Sequence, residues 1–209
     1  MTQPPRIHWD QVYSSKAPTA VSWYEPRPEE SLALIGDAGV AQDDPIIDVG
    51  AGASHLADEL LDAGFRDLTV LDVSSAALTR MRERLGSRGQ AVTFLESEVT
   101  RFRPARQYAL WHDRAVFHFL VAAEERSQYA EVLRGALRAE GHAVIATFGP
   151  SGPERCSGLP TARYDAESLA AQFAGALELM CSRLVVHHTP RKVEQQFLYC
   201  LFRRTRAAP

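Results

Sequence analysis

The 209-residue chain is short of cysteine, has no surplus of positive charge and contains no long apolar run, and each shortage excludes a class of protein. Its three cysteines, Cys156, Cys181 and Cys200, are odd in number, widely spaced and without a CxxC pair. Disulfide frameworks and structural zinc sites need paired cysteines, so reduced thiols and no bound metal are expected. Lysine and arginine total 23 against 26 acidic residues, a net charge of -3. No basic field exists to hold a phosphate backbone, so nucleic acid is not an expected partner, and Arg80, Arg82, Arg84 and Arg88 read as a solvated helix face. No apolar stretch reaches the roughly 18 residues that cross a membrane, and MTQPPRIHWDQ lacks the core of a secretion signal. The expectation is a cytoplasmic protein with no membrane partner, as a monomer or homodimer.

What is present is a chain 45% hydrophobic, enough for one sizeable core over residues 1–209. Pro45 opens the apolar run Ile46, Ile47 and Val49, which stops at Gly50 and Gly52, residues that allow a tight turn and close approach of a ligand. Ser54 is an expected N-cap for a helix carrying Leu56, Leu60 and Leu61, and residues 68–71 read as a second strand ending at Asp72. Ser74 or Ser75 caps the next helix, with Leu78, Met81 and Leu85 at helical spacing, before a third strand at 91–95. A fourth strand, 108–111, ends in the cluster His112, Asp113 and Arg114. Tyr129, Val132, Leu133, Ala136 and Leu137 mark a helix that Gly141 should end, and 142–148 gives strand five. After a loop rich in glycine and proline, a helix capped by Asp165 is expected.

The C-terminal part departs from alternation. Residues 177–187 and 195–202 both read as strands, and only TPRKVE separates most of that gap, too short for a parallel crossover. The fold class is therefore α/β: a three-layer, Rossmann-like sandwich with a mostly parallel seven-stranded sheet and an antiparallel C-terminal hairpin. Residues 1–40 form an arm and helix ahead of a core at 41–209. The arm is dense in aromatics, Trp9, Tyr13, Trp23 and Tyr24, which either pin it to the core or make it a lid.

In an open α/β sheet, ligands bind beyond the carboxyl ends of the strands, so Asp48, the glycine turn, Asp72, Glu98 and His112 to Arg114 should converge. The dinucleotide fingerprint GxGxxG fails here, because His55 stands where the third glycine belongs. An acid two residues before Gly50 would repel a pyrophosphate but suit a ligand with ammonium and sulfonium charges.

In order and spacing, DVGAGAS, LDVS, SEVTRF, YALWHDR and LRAEGHAVIATF resemble the successive motifs of class I methyltransferases that use S-adenosylmethionine, and the terminal hairpin matches that family's seventh strand. Ala109 and Ser54 depart from the family pattern. The resemblance implies a turn of Gly50, Ala51 and Gly52 under the methionine part of the cofactor, with Asp48 near its ammonium. It places Asp72 on the ribose hydroxyls, Glu98 near the adenine amino group, Val99 on the ring and Val73 beside the adenosine. The competing reading of Asp48 and Asp72 is that they satisfy backbone donors at strand ends.

Methyl transfer is an in-line displacement, so the protein must hold the acceptor, exclude water and, if needed, remove a proton. His112, Asp113, Arg114 and His118 are the catalytic candidates: histidine for a proton and Arg114 for an anionic acceptor, against purely structural pairing. Trp23, Tyr24, Cys156 and Tyr164 are candidate acceptor contacts. The implied function is methylation of a small-molecule acceptor. The alternatives are a protein (lysine-type) methyltransferase and a non-catalytic cofactor-binding protein. A nicotinamide-dependent oxidoreductase is disfavoured by His55 and the hairpin.

Overall fold

The computed structural model describes residues 4–205. Seven strands form one sheet in the order β3-β2-β1-β4-β5-β9-β8. β1 (Ile46–Val49), β2 (Leu68–Asp72), β3 (Val92–Glu96), β4 (Tyr108–Arg114) and β5 (Leu137–Phe148) are parallel, and β9 (Glu194–Arg204) runs antiparallel to both β5 and β8 (Leu177–His188). The hairpin is thus where the short 188–194 connection required it.

Period-two alternation sends neighbouring residues of the central strands to opposite faces. Ile47, Val49, Trp111 and Ile145 meet α5 (Ala123–Ala136) and α6 (Ala166–Ala171) on one side. Ile46, Leu110 and Val144 meet α2 (Glu29–Asp37), α3 (Leu56–Asp62) and α4 (Ser75–Leu85) on the other. Leu34 and Ile35 of α2 are 0% and 2% exposed, so this helix is part of the core, at roughly 1.5–3 kcal/mol for each side chain. A two-residue pair, β6 (Arg155–Cys156) with β7 (Leu159–Pro160), folds the loop after β5 back on itself.

Several elements differ from the sequence expectation. The aromatic arm contains a helix, α1 (Pro5–Ser15), held by tertiary bonds: Asp10 accepts from Ser74 Oγ at 2.7 Å and Ala76 N at 3.2 Å. Ser54 stands one residue ahead of the N-cap position, His55, which makes no side-chain cap, but its Oγ accepts from Leu56 N at the start of α3 at 3.4 Å. Ser74 does cap α4, accepting from Ala77 N, and Asp165 caps α6. Gly141 does not end α5. It lies inside β5, where a Cβ would meet Arg138 O at 2.9 Å and Ala109 O at 3.1 Å beside a register irregularity in the β4–β5 pairing. Arg80, Arg82 and Arg84 of α4, and Arg88 just beyond it, are not simply solvated either. Arg80 donates to Lys16 O, Arg82 stacks over Phe94, Arg84 reaches Ala53 O and Asp58, and Arg88 pairs with Asp58 and Asp62.

Candidate active site

β1 is four residues long and wholly buried, and the chain leaves it through Gly50 (φ +62) and Gly52 (φ +57), both in the left-handed region. Neither position has room for a side chain. A Cβ on Gly50 would lie 1.9 Å from Val116 Cγ2, and one on Gly52 would lie 2.3 Å from the Tyr13 hydroxyl. Tyr13 therefore brings the N-terminal helix directly onto the turn. Burial and the nearby Asp72 charge push its phenol well above the usual range.

Asp48 and His112 are register partners on β1 and β4, which puts both side chains on the same face. His112 Nδ1 is 2.6 Å from Asp48 Oδ1, and its Nε2 is 2.9 Å from Ser31 Oγ on α2. One arrangement satisfies all three groups: Nδ1–H donates to the carboxylate and the Ser31 hydroxyl donates to Nε2. Asp48 Oδ2 is left buried without a partner.

Asp113 continues β4 on the other face. It accepts from Tyr129 Oη at 2.6 Å, Val116 N at 2.8 Å and Phe117 N at 3.1 Å. Burial pushes its carboxyl up to about 6 against the pull of these donors. It therefore fixes the turn that carries Val116 to His118. Arg114, its side chain 11% exposed, donates to Tyr199 Oη, Trp23 O and Glu25 Oε1, tying the arm to β9, with its guanidinium 4.7 Å over the Phe197 ring.

A cavity of about 420 Å³ opens beside the glycine turn. One end is lined by Gly50, Asp72, Val73, Glu98 and Val99; the other carries Trp23, His118 and Cys156. A smaller cavity of about 60 Å³ holds Asp48, Ala51, Tyr24 and His112. Gly50, Tyr13, Trp23 and Arg114 line both, so the two spaces flank the turn. Tyr164 instead packs 5.6 Å from Phe117 in the core, and Asp113 lines neither space.

A methyltransferase-domain family model matches residues 47–143, the segment from β1 into β5 that builds this edge of the sheet. In that segment the chain is similar to methyltransferase domains. Relatives and folds agree. The eEF1A lysine and N-terminal methyltransferase of Mus musculus is 25% identical over 128 residues, covering 61% of this chain and 18% of that protein. The chain thus spans less than a fifth of the length of that curated relative. Among solved structures, one concerned with the conversion of a disulfide bond into a thioacetal group during echinomycin biosynthesis has a TM-score of 0.77 at 19% identity, covering 96% and 91% of the two chains. The 1,6-didemethyltoxoflavin-N1-methyltransferase of Burkholderia thailandensis, with bound 1,6-didemethyltoxoflavin and S-adenosylhomocysteine, gives 0.69 at 19% identity, covering 93% and 81%. These structural likenesses carry the fold.

Class I methyltransferases take the methyl from S-adenosylmethionine, and the residues around this turn fit such a ligand. The unpartnered Asp48 oxygen has the sign an ammonium needs, and Gly50 lines the cavities on both sides of the turn. Asp72 lines the larger cavity while accepting from Gly52 N and Ser74 N, both at 2.8 Å. A carboxylate has about four acceptor sites, so two remain for a diol. Burial pushes its carboxyl up to about 6. Glu98 is half-exposed and paired with Arg101 at 3.3 Å, and Val99 is buried beneath it. Ser31 and Val116 escaped the sequence reading as site residues, and Tyr13 was read only as part of the aromatic arm. Ser31 looks like any polar residue of a helix, and only the fold brings it to His112.

Proposed function

We propose that this chain is an S-adenosylmethionine-dependent methyltransferase acting on a small-molecule acceptor, built as one domain whose first 40 residues close over the site. The observation that carries this reading is the continuous cavity running from Gly50, Asp72 and Glu98 to the space between Trp23, His118 and Cys156. Donor and acceptor would share one cavity, which is what an in-line displacement requires.

S-adenosylmethionine would supply an electrophilic methyl whose bond to sulfur breaks with its electron pair left on sulfur, as the acceptor lone pair forms the new bond. The protein's part is orientation. Asp48 would hold the ammonium, with His112 and Ser31 fixing its carboxylate, and Asp72 would hold the ribose diol. Asp113 holds the turn that forms one wall, and Arg114 locks the arm in place. His112 is engaged at both nitrogens and His118 is uncharged, so proximity and exclusion of water contribute more than proton removal.

A protein acceptor is the second reading, favoured by the name of the murine relative. Against it, Trp9 and Trp23 of the arm line the cavity and narrow the room for a peptide-borne side chain. Calorimetry tests the donor half: S-adenosylhomocysteine should bind and NAD should not, and the reverse would overturn the proposal.

A further inference from the structure

The acceptor end of the cavity is an aromatic enclosure made by two parts of the chain. Trp9 and Trp23 come from the arm, their ring centroids 5.7 Å apart. Trp9 meets Phe119 at 5.2 Å, and from there the wall continues through His118 (4.5 Å), Phe148 (4.4 Å from His118) and Phe197 (4.9 Å from Phe148). All six line the same space. Edge-on and tilted ring faces of this kind suit a flat conjugated molecule.

Within that wall one polar side chain is unsatisfied. His118 is fully buried, and its Nδ1 accepts from Phe148 N at 3.2 Å. The ring proton must therefore be on Nε2, which is buried with no partner. Burial, reinforced by the Arg114 charge, pushes the imidazole down to about 3, so it is uncharged at neutral pH. An N–H donor left unpaired in a cavity wall is a cost to the free protein that a ligand lone pair would remove.

We propose that the acceptor is an uncharged, flat conjugated or heteroaromatic compound, and that a carbonyl oxygen or ring nitrogen of it accepts a hydrogen bond from His118 Nε2. His118 is then a positioning residue that donates, not a base. A cation is the competing occupant of an aromatic enclosure. The donor in the wall and the guanidinium of Arg114 over Phe197 both oppose it. The inference rests on the methyltransferase reading above.

The test uses the full chain with S-adenosylhomocysteine bound and follows tryptophan fluorescence on titration with three probes of one shape: quinoline, naphthalene and N-methylquinolinium. Quinoline, with its ring nitrogen, should bind about tenfold more tightly than naphthalene, and the cation more weakly than either. His118→Phe should bring the quinoline-to-naphthalene ratio to about one, while His118→Gln, which keeps a donor, retains part of it. Should His118→Phe not fold, the wild-type ratio and His118→Gln still decide. Equal binding of quinoline and naphthalene, preference for the cation, an undiminished ratio in His118→Phe, or no binding of any probe overturns the inference. Failure of S-adenosylhomocysteine itself to bind overturns the methyltransferase reading instead, and this inference with it.

Discussion

Replacing Asp72 with alanine should separate donor binding from folding. The Asp72 carboxylate is 5% exposed and holds two backbone N–H groups, from Gly52 and Ser74. Stranding two buried N–H groups costs about 1–3 kcal/mol each. Against that, burial has pushed the carboxyl from 3.8 to about 6. At about 1.4 kcal/mol per unit, removing the charge near neutral pH returns about 3 kcal/mol. The two effects nearly offset, so Asp72→Ala should unfold within about 2 kcal/mol of the wild type in a urea titration. Two charge-assisted bonds to a ribose diol are worth about 1.5–3 kcal/mol each, so S-adenosylhomocysteine affinity should fall roughly 10²–10⁴-fold by calorimetry.

The pH dependence has opposite signs for the two properties. Because the folded pKa is raised, Asp72 contributes stability that is present below about 3.8 and lost as pH rises through about 6. Donor affinity should instead rise with pH through about 6, because only the carboxylate can accept from both hydroxyls, and that step should vanish in Asp72→Ala. Unchanged affinity in the variant would refute the reasoning and leave Asp72 as a backbone-satisfying residue at a strand end.

Gly50→Ala should lose donor binding and at least about 2 kcal/mol of stability, because φ is positive and the new methyl meets Val116; Val116→Ala in the same chain should recover part of the stability, as read by thermal unfolding. His112→Phe removes the partner of a buried carboxylate and should cost about 3–5 kcal/mol in a urea titration; a loss under about 1 kcal/mol would mean that the Asp48 contact carries little. Burial raises the Cys156 thiol and pushes Cys200 up to about 12, so a thiol reagent at neutral pH should label Cys181 well ahead of both in the native protein, and rapid labelling of Cys156 would contradict its place in the wall.

The parts of the fold set by local chemistry could be read directly. Ser74 and Asp165 cap their helices because each side chain reaches the backbone N–H three residues on, and the brevity of the connection after His188 permits only a hairpin. The parts decided by tertiary contact could not. Trp9, Val12 and Tyr13 stand at helical spacing, but so short a stripe does not identify a helix alone, and α1 forms against α4 through Asp10 and Arg80. The cluster from His112 to Arg114 reads as a strand end because it is polar, yet β4 runs through it to Arg114, paired with β1 and β5. Its charges are tolerated because Asp48, Tyr129, Glu25 and Tyr199 meet them inside the protein.

The donor side of the site was legible because glycines and acids at strand ends keep a fixed spacing. The acceptor side was legible only in part: Trp23, His118 and Cys156 were candidates and line the cavity, while Phe148 and Phe197 come from separate strands and join them only in the fold.

The measurement that bears most directly on the proposed function is transfer of a tritiated methyl group from S-adenosylmethionine in the presence of cell extract divided by molecular size. Label should appear in the small-molecule fraction and depend on Asp72. Label confined to protein would contradict the small-molecule reading, and no label in either fraction would contradict catalysis altogether.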